Sequence, residues 1–107
     1  MKVLLDENID HRLAGLMEGH SVDHVRLIGL AATKNGSLMM EIESRGYDVF
    51  VTVDKKMRFQ QNFSKRNFGM IVLDVHPNKL SSYESVLGKL VRCIDQISTG
   101  EIRIIPS

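Results

Sequence analysis

Five short aliphatic runs punctuate the chain: KVLL (2–5), SVDHV (21–25), DVFVTV (48–53), MIVLDV (70–75) and EIRII (101–105). Each is rich in β-branched or aliphatic side chains and closed by polar residues, glycine or proline, which is the pattern of a β-strand. The stretches between them carry apolar residues at helical spacing. Ile9, Leu13, Leu16 and Met17 form one stripe that ends before Gly19, and SLMMEIESR (37–45) predicts a helix capped by Ser37, with Glu41 and Glu43 exposed and Gly46 as its stop. SSYESVLGKLVRCIDQIS (81–98) is the longest, with Tyr83, Val86, Leu87, Leu90, Val91, Ile94 and Ile97 on one face. Residues 55–67 read equally as a short helix or a loop. Strands alternating with helices predict an α/β sandwich around a mainly parallel sheet. The nearly unbroken apolar character of 48–53 and 70–73 agrees, because strands of a parallel sheet are covered on both faces.

A chain of 107 residues suffices for one hydrophobic core, so residues 1–107 are expected to form a single domain. With 43% hydrophobic and 25% charged residues and no low-complexity tract, the composition excludes a disordered chain. Cys93 is the only cysteine, which excludes an internal disulfide and a cysteine-based zinc site and fits a reducing cytoplasm. The apolar run at the N-terminus is too short for a secretory signal or a membrane span, so no membrane role is expected. A net charge of +1 provides no global field for nucleic acid. The distribution is uneven, however. Lys55, Lys56, Arg58, Lys65 and Arg66 fall in a stretch, 55–73, without an acid, whereas the first 24 residues hold Asp6, Glu7, Asp10, Glu18 and Asp23 against Lys2 and Arg12. An acidic edge facing a basic segment is the expectation.

Three of the predicted strands end in the same chemistry: VLLD at Asp6, VTVD at Asp54 and IVLD at Asp74. In open α/β sheets ligands bind beyond the carboxyl ends of the strands, so these are the residues a site would use. Carboxylates gathered on one edge repel unless a cation or a proton is shared among them. Hard oxygen donors without histidine or cysteine suit Mg²⁺ or Mn²⁺. Each acid also has an ordinary role open to it: Asp6, Asn8 and Asp10 as turn or cap residues, Asp54 as the cap of a helix starting at Lys55, Asp74 within the turn DVHPN. His11, His20, His24 and His76 match no helical metal pair and are expected at the surface or in caps. Arg26, after the second strand, is placed to reach the acidic edge as a phosphate clamp. Phe59, Phe63 and Phe68 interleave with the basic residues, where they serve either as stacking surfaces for nucleobases or as core; Phe68 is expected in the core. Met39 and Met40 are expected in the core as well, and Cys93 as a buried inert thiol.

Two known families share the pattern of acids. The pair Asp6-Glu7 and the later Asp54 resemble a response-regulator receiver domain, in which Asp54 would accept a phosphoryl group. That family also requires a hydroxyl residue ending the fourth strand and a lysine ending the fifth, where this chain has Asp74 and RIIPS. The closer resemblance is to the PIN-like family of small bacterial proteins, relatives of toxin ribonucleases. Its order of blocks matches KVLLDENID, SVDHVRLIGL, DVFVTVDKKM and GMIVLDV across residues 2–75: an LLDEN start, an HV-containing second strand, a T-x-D strand end and an apolar fourth strand.

This resemblance implies a three-layer α/β/α sandwich with a five-stranded sheet of order 2-1-3-4-5, and a metal-dependent endoribonuclease that is the toxin half of a toxin–antitoxin pair. Mg²⁺ or Mn²⁺ is the implied cofactor, and RNA and an antitoxin protein are the implied partners; a homodimer is left open. Asp6 and Asp54 would be catalytic as metal ligands, joined by Glu7 and Asp74. Asn8, Lys55, Lys56 and Arg58 would contact the substrate, and Thr52 would orient the loop. The chain departs from the family at two places: Asn35 stands where an acid commonly precedes the second helix, and Lys56 where a second aspartate often follows T-x-D. Glu41 and Asp74 are the available replacements. The same departures define the alternative, a catalytically degenerate module that binds RNA or a protein partner.

Overall fold

The computed structural model describes residues 1–106. Its five strands are β1 (Lys2–Leu5), β2 (Ser21–His24), β3 (Val49–Thr52), β4 (Gly69–Asp74) and β5 (Ile102–Pro106). All four pairings are parallel and the order is β2-β1-β3-β4-β5. Helices cover both faces, giving the three-layer α/β sandwich that the alternation of elements predicts. The helices are α1 (Asn35–Ser44), α2 (Leu80–Glu84) and α3 (Leu87–Gln96). Among the described residues no helix is long and apolar enough to cross a membrane.

The pleat sorts each strand's side chains between two cores. Val3 and Leu5, Val49 and Val51, and Ile71 and Leu73 point to one face, where Tyr83 of α2 and Leu90 and Ile94 of α3 close over them. Leu4, Phe50, Met70 and Val72 point to the other, against Leu38, Met39 and Ile42 of α1 and against Met57, Phe63 and Phe68. Phe63 and Phe68 meet edge to face with centroids 5.3 Å apart. Full burial of each of these large aliphatic and aromatic side chains contributes about 1.5–3 kcal/mol, so the sheet is held from both sides. Gly100 makes the turn into β5 possible. Its φ is +77°, and a Cβ there would lie 2.4 Å from the Ser64 carbonyl oxygen.

The helical segments depart from expectation in four places, each for a local reason. The stripe 9–17 forms a 3-10 helix at His11–Leu16. The Asp10 side chain accepts from the Arg12 N–H, and Met17 N–H donates to Ala14 three residues back, so a tight coil replaces a wider one. Ser37 is not a cap: Leu38 N–H donates to Lys34 O, which starts α1 before it. The predicted helix 81–98 is split at Ser85-Val86 into α2 and α3, where the Ser85 hydroxyl bonds back to Ser82 O and Val86 N–H takes the Tyr83 carbonyl, a competition hydroxyl side chains bring to helices. Met40 is 66% exposed although Met39 is buried, since adjacent helical residues are about 100° apart and cannot share one face. The ambiguous stretch 55–67 resolves into 3-10 turns at Lys55–Phe59 and Phe63–Lys65.

Candidate functional site at the carboxyl ends of the strands

Leu4 is paired in register with Phe50, and Thr52 with Val72. Two residues further along each strand on the same face come Asp6, Thr52 and Asp74, so the pleat itself aims these side chains over the rim of the sheet. Asp6 N–H continues the ladder to Val51 O, which holds the acid beside β3. Its Oδ2 accepts the Thr52 hydroxyl at 2.6 Å and its Oδ1 accepts Glu7 N–H at 2.8 Å. Thr52 Oγ1 in turn accepts Asp54 N–H at 3.1 Å. One hydroxyl therefore links the first acid to the turn that carries the second. Asp54 caps its 3-10 turn by accepting Lys56 N–H at 2.9 Å, the ordinary cap role open to it in the sequence.

Burial governs the protonation of Asp6. The residue is 8% exposed, and desolvation pushes its carboxyl above the ordinary 3.8; the Thr52 and Glu7 hydrogen bonds oppose this, while the neighbouring charges of Glu7 and Asp54 add to it.

Asp74 is in a different situation. Its Oδ1 is 2.9 Å from Lys55 Nζ and 2.9 Å from His76 Nε2, and these two partners, Lys55 first, hold its carboxyl below the ordinary range. It is committed to the Lys55 ammonium and the His76 imidazole beside the site. Glu7 is also drawn aside, with its carboxylate 3.3 and 3.4 Å from Ala32 N–H. Asn8 is exposed, and its carbonyl accepts the Asn78 side-chain amide at 2.9 Å. Glu41 pairs with Arg45 on its own helix. Among the described residues no three histidine, cysteine or acidic side chains come together as a cation-holding group.

The basic segment does not face the N-terminal acids as a block. Lys55 goes to Asp74, and Arg66 pairs with Glu43 of α1. The early acids find other partners, Asp10 its near neighbour Arg12 and Asp23 the Tyr47 hydroxyl. Lys56 and Arg58 remain exposed next to Asp54, and the Arg58 guanidinium lies 4.6 Å from the centre of the Phe59 ring. Phe59 is 72% exposed, whereas Phe63 and Phe68 are core residues.

Two histidines expected at the surface are not there. His24 is 2% exposed; its Nε2–H donates to Ile9 O at 2.7 Å, and its Nδ1 accepts Arg26 N–H at 3.2 Å. The ring clamps the turn after Asp6 onto the end of β2. The signal for it lay in the register: His24 pairs with Leu5, which points into the core. His20 has a side chain 6% exposed that contacts Asp95 at 3.2 Å.

The donor set at Asp6 and Asp54 is two carboxylates with no sulfur or imidazole. It fits Mg²⁺ or Mn²⁺ in the manner of sites that use one or two carboxylates and leave the remaining positions to water and phosphate oxygens. It does not amount to a cage made by protein alone. Comparisons with protein-family models, with curated proteins and with solved structures return no match for this chain.

Proposed function

We propose that the chain is a Mg²⁺- or Mn²⁺-dependent ribonuclease-like protein whose centre is Asp6 and Asp54. The observation that carries this reading is the Thr52 hydroxyl, which ties a buried strand-end carboxylate to the turn bearing a second one, at the rim where α/β sheets bind ligands. Burying an acid beside other acids is costly, and a divalent cation removes that cost. Asp6 and Asp54 would hold the cation, which when bound supplies Lewis-acid activation of water and of a phosphodiester oxygen. Thr52 fixes the rotamer of Asp6. Lys56 and Arg58, exposed beside Asp54, offer charge to the RNA backbone, and the exposed Phe59 ring offers a face for a base. The resemblance to PIN-like proteins adds the biological role: a toxin acting in the cytoplasm, held in check by an antitoxin protein.

Mn²⁺ titrated calorimetrically into the protein should bind, and structured RNA should decay with Mn²⁺ present. An Asp6→Asn, Asp54→Asn double variant should lose both properties. Equal RNA decay from both proteins would sink the catalytic reading. A second reading, a non-catalytic RNA- or partner-binding module, draws support from one arrangement: Lys55 pairs with Asp74 and His76 contacts the same carboxylate oxygen, while Asn35 and Lys56 occupy positions where the resembled family carries acids. RNA binding without metal-dependent decay would favour it.

A further inference from the structure

On the β1–β2 side of the same rim a cleft of about 820 Å³ opens between the turn after β1, the segment after β2 and the approach to α2. Its volume is in the range that holds one small organic ligand. Its lining is mixed. Leu27, 75% exposed, supplies an apolar wall, the carboxamides of Asn8 and Asn78 supply donors and acceptors, and the His11 ring adds a flat surface. Three fixed cations, Arg12, Arg26 and Lys79, stand against two acids, Glu7 and Asp10.

The hydrogen bonds show which of these charges are already used. Asp10 takes Arg12 through bonds of 2.6 to 3.2 Å, so that pair cancels. Glu7 is turned to Ala32 N–H. Arg26 and Lys79 are exposed and have no ion-pair partner among the described residues. Their backbones are anchored, because Arg26 N–H donates to the buried His24 ring and Asn78, next to Lys79, is tied to Asn8 O. The cleft therefore presents two cations without an ion-pair partner on fixed supports, against one remaining acid, Glu7, whose carboxylate is turned toward a backbone N–H, beside carboxamides and a small apolar wall. A phosphate joined to a flat, hydrogen-bonding ring has the matching chemistry.

We infer that this cleft is a subsite for one nucleotide, with its phosphate on Arg26 and Lys79 and its base against Leu27, His11 and the two asparagines. The nucleotide is either a residue of an RNA strand leading toward Asp6 or a free nucleoside monophosphate. The first source rests on the ribonuclease-like reading, and the second does not.

The test is calorimetric binding in EDTA, which removes any contribution of a divalent cation. The probes are a single-stranded RNA of about six nucleotides, a length within the reach of one small binding domain, adenosine and uridine 5′-monophosphates, and the unphosphorylated nucleosides. The proteins are the wild type, an Arg26→Gln, Lys79→Gln double variant and a Lys89→Gln control on the exposed face of α3, each checked for folding by circular dichroism. Loss of each charge-assisted phosphate contact is expected to weaken binding about tenfold, with Lys89→Gln unchanged and the nucleosides bound far more weakly. If RNA alone binds in this charge-dependent way, the ligand is a strand; if monophosphates bind and RNA does not, the cleft is a free-nucleotide site. Unchanged affinities in the double variant, or no saturable binding of any probe at millimolar concentration, overturns the inference. Because EDTA suppresses metal-dependent cleavage, a failure of the ribonuclease reading leaves a different signature: normal binding here with no RNA decay in Mn²⁺.

Discussion

Asp6 and Asp74 end strands of one parallel sheet on the same phase of the pleat, yet they live in opposite electrostatic conditions. Asp6 is enclosed, its partners are a hydroxyl and a backbone amide, and its carboxyl is pushed up. Asp74 stands near solvent, its partners are Lys55 and His76, and its carboxyl is pulled down. The difference teaches that an acid at a strand end is not a site by virtue of its position. What matters is whether its compensation is neutral and leaves room for a cation, or is itself cationic and uses the charge up.

That contrast breaks most sharply in activity. Replacing Asp6 or Asp54 by alanine is expected to lower Mn²⁺-dependent RNA cleavage by more than about 100-fold, above the range for groups that only support a metal ligand, whereas Asp74→Asn should leave it within a few-fold. Comparable losses at all three positions, measured as initial rates on one RNA, would erase the distinction. Thr52→Val should lower the same rate by about 10- to 100-fold, as expected for a supporting hydrogen bond. It should also cost about 1–3 kcal/mol of stability at pH 7 by urea unfolding, because a buried acceptor loses its donor.

The pH dependence of folding sharpens the comparison further. A raised folded-state carboxyl makes Asp6 most favourable to folding below its ordinary value of 3.8, a contribution lost as pH rises through the folded value. A lowered one makes Asp74 favourable above 3.8, a contribution lost as pH falls through its folded value. Asp6→Asn is therefore expected to gain thermal stability over the wild type at pH 7 and to lose that gain near pH 3. Asp74→Asn should be slightly less stable than the wild type at pH 7, with the deficit shrinking toward pH 2. Smallest of all should be Lys55→Met: a barely measurable change in melting temperature that high salt removes, since exposed ion pairs are weak and screened, together with an upward move of the Asp74 carboxyl titration followed by NMR.

Much of the architecture could be read from residues. The strand runs lie within a residue or two of the observed strands because each is a compact aliphatic block with sharp polar ends, and the parallel arrangement follows from strands apolar on both faces. The period of two that carries Leu4 to Asp6 and Phe50 to Thr52 is local, but the alignment of Asp6 with Thr52 needed the Leu4–Phe50 register, which only the folded sheet supplies. Other features were not legible. The helical stripe at 9–17 looks the same in an α-helix and in the tighter 3-10 coil, and the choice fell to the Asp10 and Ala14 contacts. The break between Tyr83 and Leu87 coincides with the Ser85 hydroxyl bonding back to Ser82 O, and apolar spacing carries no sign of that bond. His24 looks polar in sequence and is a buried clamp, because Ile9 O waits at its Nε2.

From the amino-acid order alone came the alternation that dictates a parallel sheet and the recurrence of an aspartate at three strand ends, because pleat and apolar periodicity are local properties of the chain. Only the tertiary structure decided which aspartate stays without a cationic partner. Burial and charge compensation are set by groups far apart in sequence, Thr52 for Asp6 and Lys55 for Asp74, and such partners exist only after the sheet has brought them together.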